Sequence, residues 1–266
     1  MTTNKYPARP WSLRFVCKAA LLLTGLLWAA GARAAEPADV LKAAVEKLAT
    51  GGNYTWTKTF IFPDAPISPG PMNGQIDASG FILVSQNVGK GDFEAVLKDG
   101  VGVLHLPVGW LSAPEIAQGN PEGAVNAALL MSRVLFSVRK PDVEAAELLK
   151  LGASFTQDDQ GVITERLKEA GVVTLIRNGV TGRPNPQMPP MKEVSGTVKY
   201  WVNAGLIEKY EVSLQAKFLP SAFKGGVDFK PTTTVAFTNV GSTKVLVPDA
   251  ARARLAEIKA QSATAK

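Results

Sequence analysis

The chain has 266 residues, 46% of them hydrophobic, with 29 Lys and Arg against 23 Asp and Glu, one histidine and one cysteine. Its net charge of +6 is concentrated at the front: Lys5, Arg9, Arg14, Lys18 and Arg33 all precede the first acid, Glu36. Without those five the charge is close to neutral, so the basic face that nucleic-acid binding requires is absent and that partner class is excluded.

Residues 1–34 read as a cleaved signal peptide. A basic start leads into the apolar run AALLLTGLLWAA at 19–30, too short for a stable bilayer span, and Ala32-Arg33-Ala34 supplies the small residues of a cleavage site before Ala35. Cys17 lies in this segment and lacks the context of a lipid-modified cysteine. The mature chain therefore has no disulfide, thiol nucleophile or thiolate metal ligand, and no transmembrane segment. Roughly 230 remaining residues suffice for one domain with its own core. An exported, cysteine-free chain suits a bacterial periplasm or cell surface. The expected organisation is a signal peptide at 1–34, one α+β domain at 35–260 and a disordered tail at 261–266.

The first mature element is a helix, with Val40, Leu41, Ala44, Val45 and Leu48 on one face and Gly51-Gly52 as its stop. YTWTKTFIF at 54–62 follows, where Tyr54, Trp56, Lys58, Phe60 and Phe62 alternate with a threonine-rich row, as in a strand. The proline-rich stretch 63–71 cannot join a ladder. Three more strands are predicted at 81–86, 92–98 and 101–106, joined by Gly89-Lys90-Gly91 and Asp99-Gly100.

A helical block then interrupts the strands. Val125, Leu129, Leu130, Val134 and Leu135 share a face from Pro121 onward, and Pro141 opens a second helix that Gly152 closes. Strands return as ASFTQ, VITERL and VVTLIR, and a second proline-rich loop spans 181–191. In GTVKYWVNAGLIEKYEVSLQAKF (196–218), a three-residue loop Asn203-Ala204-Gly205 would pair Val202 with Leu206 and put Trp201 opposite Ile207, on the polar face with Lys199, Lys209 and Glu211. TTTVAFTNV and TKVLVP are the last predicted strands, before a terminal helix DAARARLAEIK. Strands grouped around a helical block indicate an α+β fold with an antiparallel meander, not a parallel sheet.

This arrangement resembles the periplasmic lipoprotein- and lipid-carrier group that includes LolA, LolB and the LppX-type proteins. The matching stretches are VLKAAVEKLATGGNYTWTKTF after the signal peptide, GVLHLPVGWL closing the first set of strands, the helical segment, and the late hairpin GTVKYWVNAGLIEKYEVSL. The resemblance implies a curved antiparallel sheet, an unclosed half-barrel, with helices on its concave face. It carries no diagnostic motif and transfers no binding residue. The lipid-modification cysteine of anchored members is missing, and the two proline-rich loops have no counterpart.

Catalytic motifs are few. His105 alternates with Val103 and Val101 in a strand, and no Gly-x-Ser-x-Gly elbow accompanies it. One histidine and no mature cysteine argue against a zinc site. Ser137-Val138-Arg139-Lys140 lacks the companion elements of penicillin-recognising enzymes, and Asp158-Asp159 fits a turn. There is no phosphate loop or dinucleotide fingerprint, and no cofactor is expected. The reading is a non-enzymatic exported carrier or sensor of an apolar small molecule or lipid, with envelope proteins as further partners. Phe60, Phe81, Phe93, Tyr210, Leu214 and Phe218 on the sheet, with Leu129, Leu130, Met131 and Leu135 on a lid helix, are the expected ligand contacts. A solid-core envelope interaction protein is the second reading, and a hydrolase of envelope polymers using paired carboxylates the third.

Overall fold

A computed structural model describes residues 35–63, 69–88, 91–119, 127–179, 187–219 and 226–264. The N-terminal segment 1–34 lies outside these residues, as do the middle of the first proline-rich loop, the start of the second, and Pro121 with Val125.

The residues from Pro37 onward form one compact unit built on a single antiparallel sheet. In chain order its elements are α1 (Pro37–Gly51), β1 (Tyr54–Ile61), β2 (Met72–Ile76), β3 (Ile82–Val88), β4 (Gly91–Lys98), β5 (Val101–Leu106), β6 (Gly109–Leu111), α2 (Ala113–Gln118), α3 (Ala127–Phe136), α4 (Pro141–Leu151), β7 (Gly152–Gln157), β8 (Ile163–Leu167), α5 (Glu169–Asn178), β9 (Met191–Asn203), β10 (Leu206–Phe218), β11 (Val227–Phe229), β12 (Thr232–Thr238) and α6 (Asp249–Thr264). The sheet runs β6-β5-β4-β3-β2-β1-β12-β10-β9-β8-β7, with β11 added beside β10. Its two ends do not pair, so it is a curved, unclosed half-barrel of α+β class. It consists of two meanders sewn together by one pairing, β1 with β12. Helices α2 to α4 carry the chain from β6 at one edge to β7 at the other.

Alternation decides which side each strand residue faces. Tyr54, Trp56 and Phe60 of β1, Val84 of β3, Ala95 and Leu97 of β4, Val198 and Tyr200 of β9, and Tyr210 and Val212 of β10 share one core with Leu41, Ala44, Val45 and Leu48 of α1 and with Leu135 and Leu148. This inner face takes α1, α3, α4 and α5. Val96 and Val103, one residue out of phase, join Val245, Val247, Ala251 and Leu255 in a smaller core on the opposite face. There α6 packs across β5 and β6. The sheet therefore carries one helix on its outer side as well.

The structure departs from the predicted elements at five places. VVTLIR is not a strand but the body of α5: Val172 and Ile176 are buried one turn apart, and the helical spacing of this apolar pair prevails over β-branched propensity. TKVLVP is extended but unpaired, burying Val245 and Val247 in the outer core. Strand β2 was hidden in a short MNGQI whose inward residue, Gly74, lies opposite Trp56. The helix α6 runs through Thr264 rather than ending in a tail at 261, with Ser262 Oγ donating to the Ile258 carbonyl at 2.9 Å.

The fifth departure is the register of the β9–β10 hairpin. Asn203 pairs with Leu206 across a two-residue turn, Ala204-Gly205, in which both residues have positive φ (48° and 72°). This is the primed-turn geometry that matches strand twist. Such a turn alone would send the two apolar rows to opposite faces. A bulge between Ile207 and Lys209 absorbs the extra residue Glu208, so Ile207 and Tyr210 both face inward and both are buried. Trp201 consequently sits opposite Lys209, not Ile207. It is on the outer, polar face as predicted, with the Lys209 ammonium 3.6 Å from its ring centroid.

Candidate functional site

The inner face is divided into a filled half and a hollow half. Under α1 the aromatic side chains close the space: Tyr54 and Phe237 have ring centroids 5.5 Å apart, Tyr210 and Phe237 5.9 Å, and Tyr200 and Tyr210 6.1 Å. Under α4 and α5 the packing opens. One cavity of about 370 Å³ lies between β1, α4 and α5, and a second of about 130 Å³ continues toward β10, β11 and β12. Lys58, Phe60, Glu144, Leu148, Leu175 and Gly179 belong to the walls of both.

Local sequence explains why these residues meet. Glu144, Glu147, Leu148 and Leu151 recur on one face of α4 at helical spacing and line the larger cavity. Pro141 occupies the first turn of α4, where its missing N–H costs nothing, and Tyr54 Oη donates to Asp142 Oδ1 in that same turn at 2.5 Å. This bond fixes the start of α4 on β1. Burial, with the Asp142 carboxylate beside it, holds the Tyr54 hydroxyl far above its ordinary range. From α5, Thr174, Leu175 and Asn178 close the opposite wall. Phe62, Val212, Leu214 and Phe229 form the apolar floor of the smaller cavity.

One cation stands inside this apolar row. Tyr54, Trp56, Lys58 and Phe60 are alternate residues of β1 and face inward together. Lys58 Nζ lies 3.0 Å and 2.8 Å from the two carboxylate oxygens of Glu144. Both side chains are largely covered, with 18% and 19% of their surface exposed. The Trp56 indole Nε1 is buried without a hydrogen-bond partner among the described residues, and the Tyr210 hydroxyl is buried against Glu144. Burial and the nearby charge of Glu144 push the Tyr210 hydroxyl well up.

A second buried carboxyl lies farther along the sheet. Glu165 of β8 is fully buried and accepts a hydrogen bond from Tyr200 Oη at 2.7 Å, while its Oε1 has no partner among the described residues. Burial raises its pKa to about 7, against the lowering effect of the Tyr200 bond. It borders neither cavity described above.

Of the ten expected ligand contacts, Phe60 and Leu214 line the cavities. Phe218 packs on Phe229 at 5.2 Å, behind the floor of the smaller one. Tyr210 belongs to the filled aromatic half. Phe93, Leu129, Met131 and Leu135 pack in the inner core but line neither cavity. Phe81 is on the outer face, where the Lys98 ammonium stands 3.9 Å over its ring, because it is out of phase with Ile82 and Val84. Leu130 is 53% exposed, since α3 presents Met131 and Leu135 to β4 and β5. The helices over the cavities are α4 and α5, not α3. Lys58, Leu148 and Leu175 escaped the sequence reading. A lysine in the apolar row of β1 was the available signal for the first, and α5 had been read as a strand.

The remaining candidates have structural roles. His105 is exposed and stacks on Trp110 at 4.8 Å. Ser137 donates to the Val134 carbonyl at the end of α3. Asp158 accepts from the backbone N–H groups of Gln160 and Val162 in the β7–β8 turn. Among the described residues there is no metal-holding cluster of His, Cys, Asp or Glu. No helix among them is long and apolar enough to cross a membrane.

No protein-family model matches the chain, and no curated protein matches it. Solved structures similar to it include the Mycobacterium tuberculosis lipoprotein LppX, with a TM-score of 0.41 and 8% identity over 79% of this chain and 98% of that one. LprF from Mycobacterium bovis aligns with a TM-score of 0.39 and 9% identity over 80% and 97%. A LolA superfamily protein from Nitrosomonas europaea aligns with a TM-score of 0.28 and 12% identity over 81% and 96%.

Proposed function

We propose that the protein is an exported, non-enzymatic carrier or sensor that buries an apolar ligand, a lipid or acyl chain, between its sheet and helices α4 and α5. The observation that carries this reading is the hollow half of the inner face. Its cavities are floored by Phe60, Phe62, Leu214 and Phe229 and roofed by Leu148 and Leu175, and the larger has the size of a small-molecule site. The N-terminal basic-apolar segment with its Ala-x-Ala site supports delivery to the periplasm or cell exterior, with cleavage before Ala35.

Glu144 and Glu147 both border the larger cavity, as the hydrolase reading would require. Each is already engaged by a cation, Lys58 and Arg139 respectively. Both stand on α4, and no carboxylate among the described residues lines the wall facing them, as a pair flanking a glycosidic bond would require.

Native mass spectrometry of the protein purified from its own periplasm tests the carrier. A discrete lipid mass is expected in the natural protein and in Leu130→Asp, which alters an exposed position, and is expected to be lost in Leu175→Asp. A bare protein mass that takes up neither added fatty acid nor added phospholipid would overturn the reading in favour of a solid-core interaction protein.

A further inference from the structure

The Lys58–Glu144 pair sits where a hydrophobic residue would serve packing better. Covering two charges this far carries a desolvation cost that their mutual attraction repays only in part. Trp56, two residues before Lys58 on the same face, contributes to the same cavity wall, and its buried Nε1 has no acceptor among the described residues. Buried donors are normally satisfied, so an unused donor on the same strand face as a cation marks a place for an anionic acceptor. The Tyr210 hydroxyl is buried against the Glu144 carboxylate. A guest anion that displaced Glu144 from Lys58 would leave that carboxylate held by Tyr210.

We propose that Lys58 and Trp56 anchor the head of a single-chain carboxylate amphiphile of the fatty-acid class. Its carboxylate takes the place of Glu144 on Lys58 and accepts from Trp56 Nε1, and its chain runs through both cavities along Phe60, Leu148, Leu175 and Leu214. The inference rests on the carrier reading and names its ligand class. Size agrees with it: the larger cavity, of about 370 Å³, falls at the small end for ligand sites and the smaller adds about 130 Å³, room for one chain and not for a lipid with several.

The test compares hexadecanoate with hexadecanol, the same chain without the charge, on the delipidated protein by titration calorimetry. The acid is expected to bind about tenfold tighter or more, the worth of a charge-assisted hydrogen bond in a covered site. In the pair variant Lys58→Met/Glu144→Gln, which leaves no orphaned carboxylate, the acid-to-alcohol ratio is expected to fall to about one. In Trp56→Phe it is expected to fall part of the way. Equal affinities in the natural protein, or a preference that survives the pair variant, would overturn the anchor and leave the carrier standing. Should the pair variant fail to fold, as judged by circular dichroism, an unchanged ratio in folded Trp56→Phe would overturn it. If the natural protein binds neither compound, the chamber reading falls and the anchor falls with it.

Discussion

Gly74 lies directly beneath the indole of Trp56. The two are register partners across β1 and β2, and a methyl group placed on the Gly74 Cα would stand closer than 3.0 Å to the Cζ2, Cε2 and Cη2 atoms of the ring. The ring is fully buried and cannot retreat without displacing the cavity wall. Gly74→Ala is therefore expected to destabilise by about 1–3 kcal/mol through overpacking. Trp56→Leu, which removes the obstructing ring, should make the second change at Gly74 much cheaper. Denaturant unfolding of the two single variants and the double variant measures this coupling. Additive effects would show that the glycine is there for some other reason.

Glu165 predicts a pH dependence of stability. Its pKa is about 7 in the fold against an ordinary value of 4.5, so the folded protein keeps a proton that the unfolded chain releases between those values. Because the native state then binds more protons, stability falls as pH rises across the window from about 4.5 to about 7. Glu165→Gln removes the titration. At pH 8 it is expected to be more stable than the natural protein by about 1–3 kcal/mol, with the difference vanishing below about pH 4. Urea unfolding at pH 4, 6 and 8 checks it. A difference that does not change with pH would mean that Glu165 titrates alike in the folded and unfolded chain.

The β9–β10 turn offers a local test. Ala204 has φ of 48°, a conformation that costs an L-residue about 1 kcal/mol and that asparagine tolerates better. Ala204→Asn should raise stability by a few tenths to about 1 kcal/mol, and Gly205→Ala should lower it by about 1 kcal/mol. Deleting Glu208 removes the bulge and would turn either Ile207 or Tyr210 outward. Its thermal midpoint is expected to fall much further than that of either point variant. A small loss would mean that the hairpin re-registers without cost.

Much of the architecture was legible because alternation and turn residues act locally. β1, β3, β4, β5, β10 and β12 could be placed from inward rows such as Tyr210, Val212, Leu214 and Ala216, and α1 and α4 from their helical stripes. Where a local signal served two outcomes, tertiary packing chose between them. Val172, Val173 and Ile176 suit a strand by propensity, yet Val172 and Ile176 are also one helical turn apart, and the inner face of β9 needed a helix over it. MNGQI carries almost no strand signal, since its central glycine is shaped by Trp56, a partner across the sheet. The cavity was half legible for the same reason. Phe60 and Leu214 belong to visible rows, whereas Leu148 and Leu175 come from helices whose approach is set by long-range contacts such as Tyr54 with Asp142. Phase also matters: Phe81 looks like Phe60 in composition but is one residue out of step and faces the other side.

The seam between β1 and β12 bears on how the chain acquires its shape. Thr55 pairs with Thr238, partners separated by nearly the whole domain, so the first strand to emerge waits for the last. Contacts of such long sequence separation delay folding, and until residues 232–238 arrive one edge of β1 carries unsatisfied backbone groups. A chain that emerges from its N-terminus can pair β1 to β6 in succession, each strand with the one before it. Its two meanders lock into one sheet only at the end of delivery.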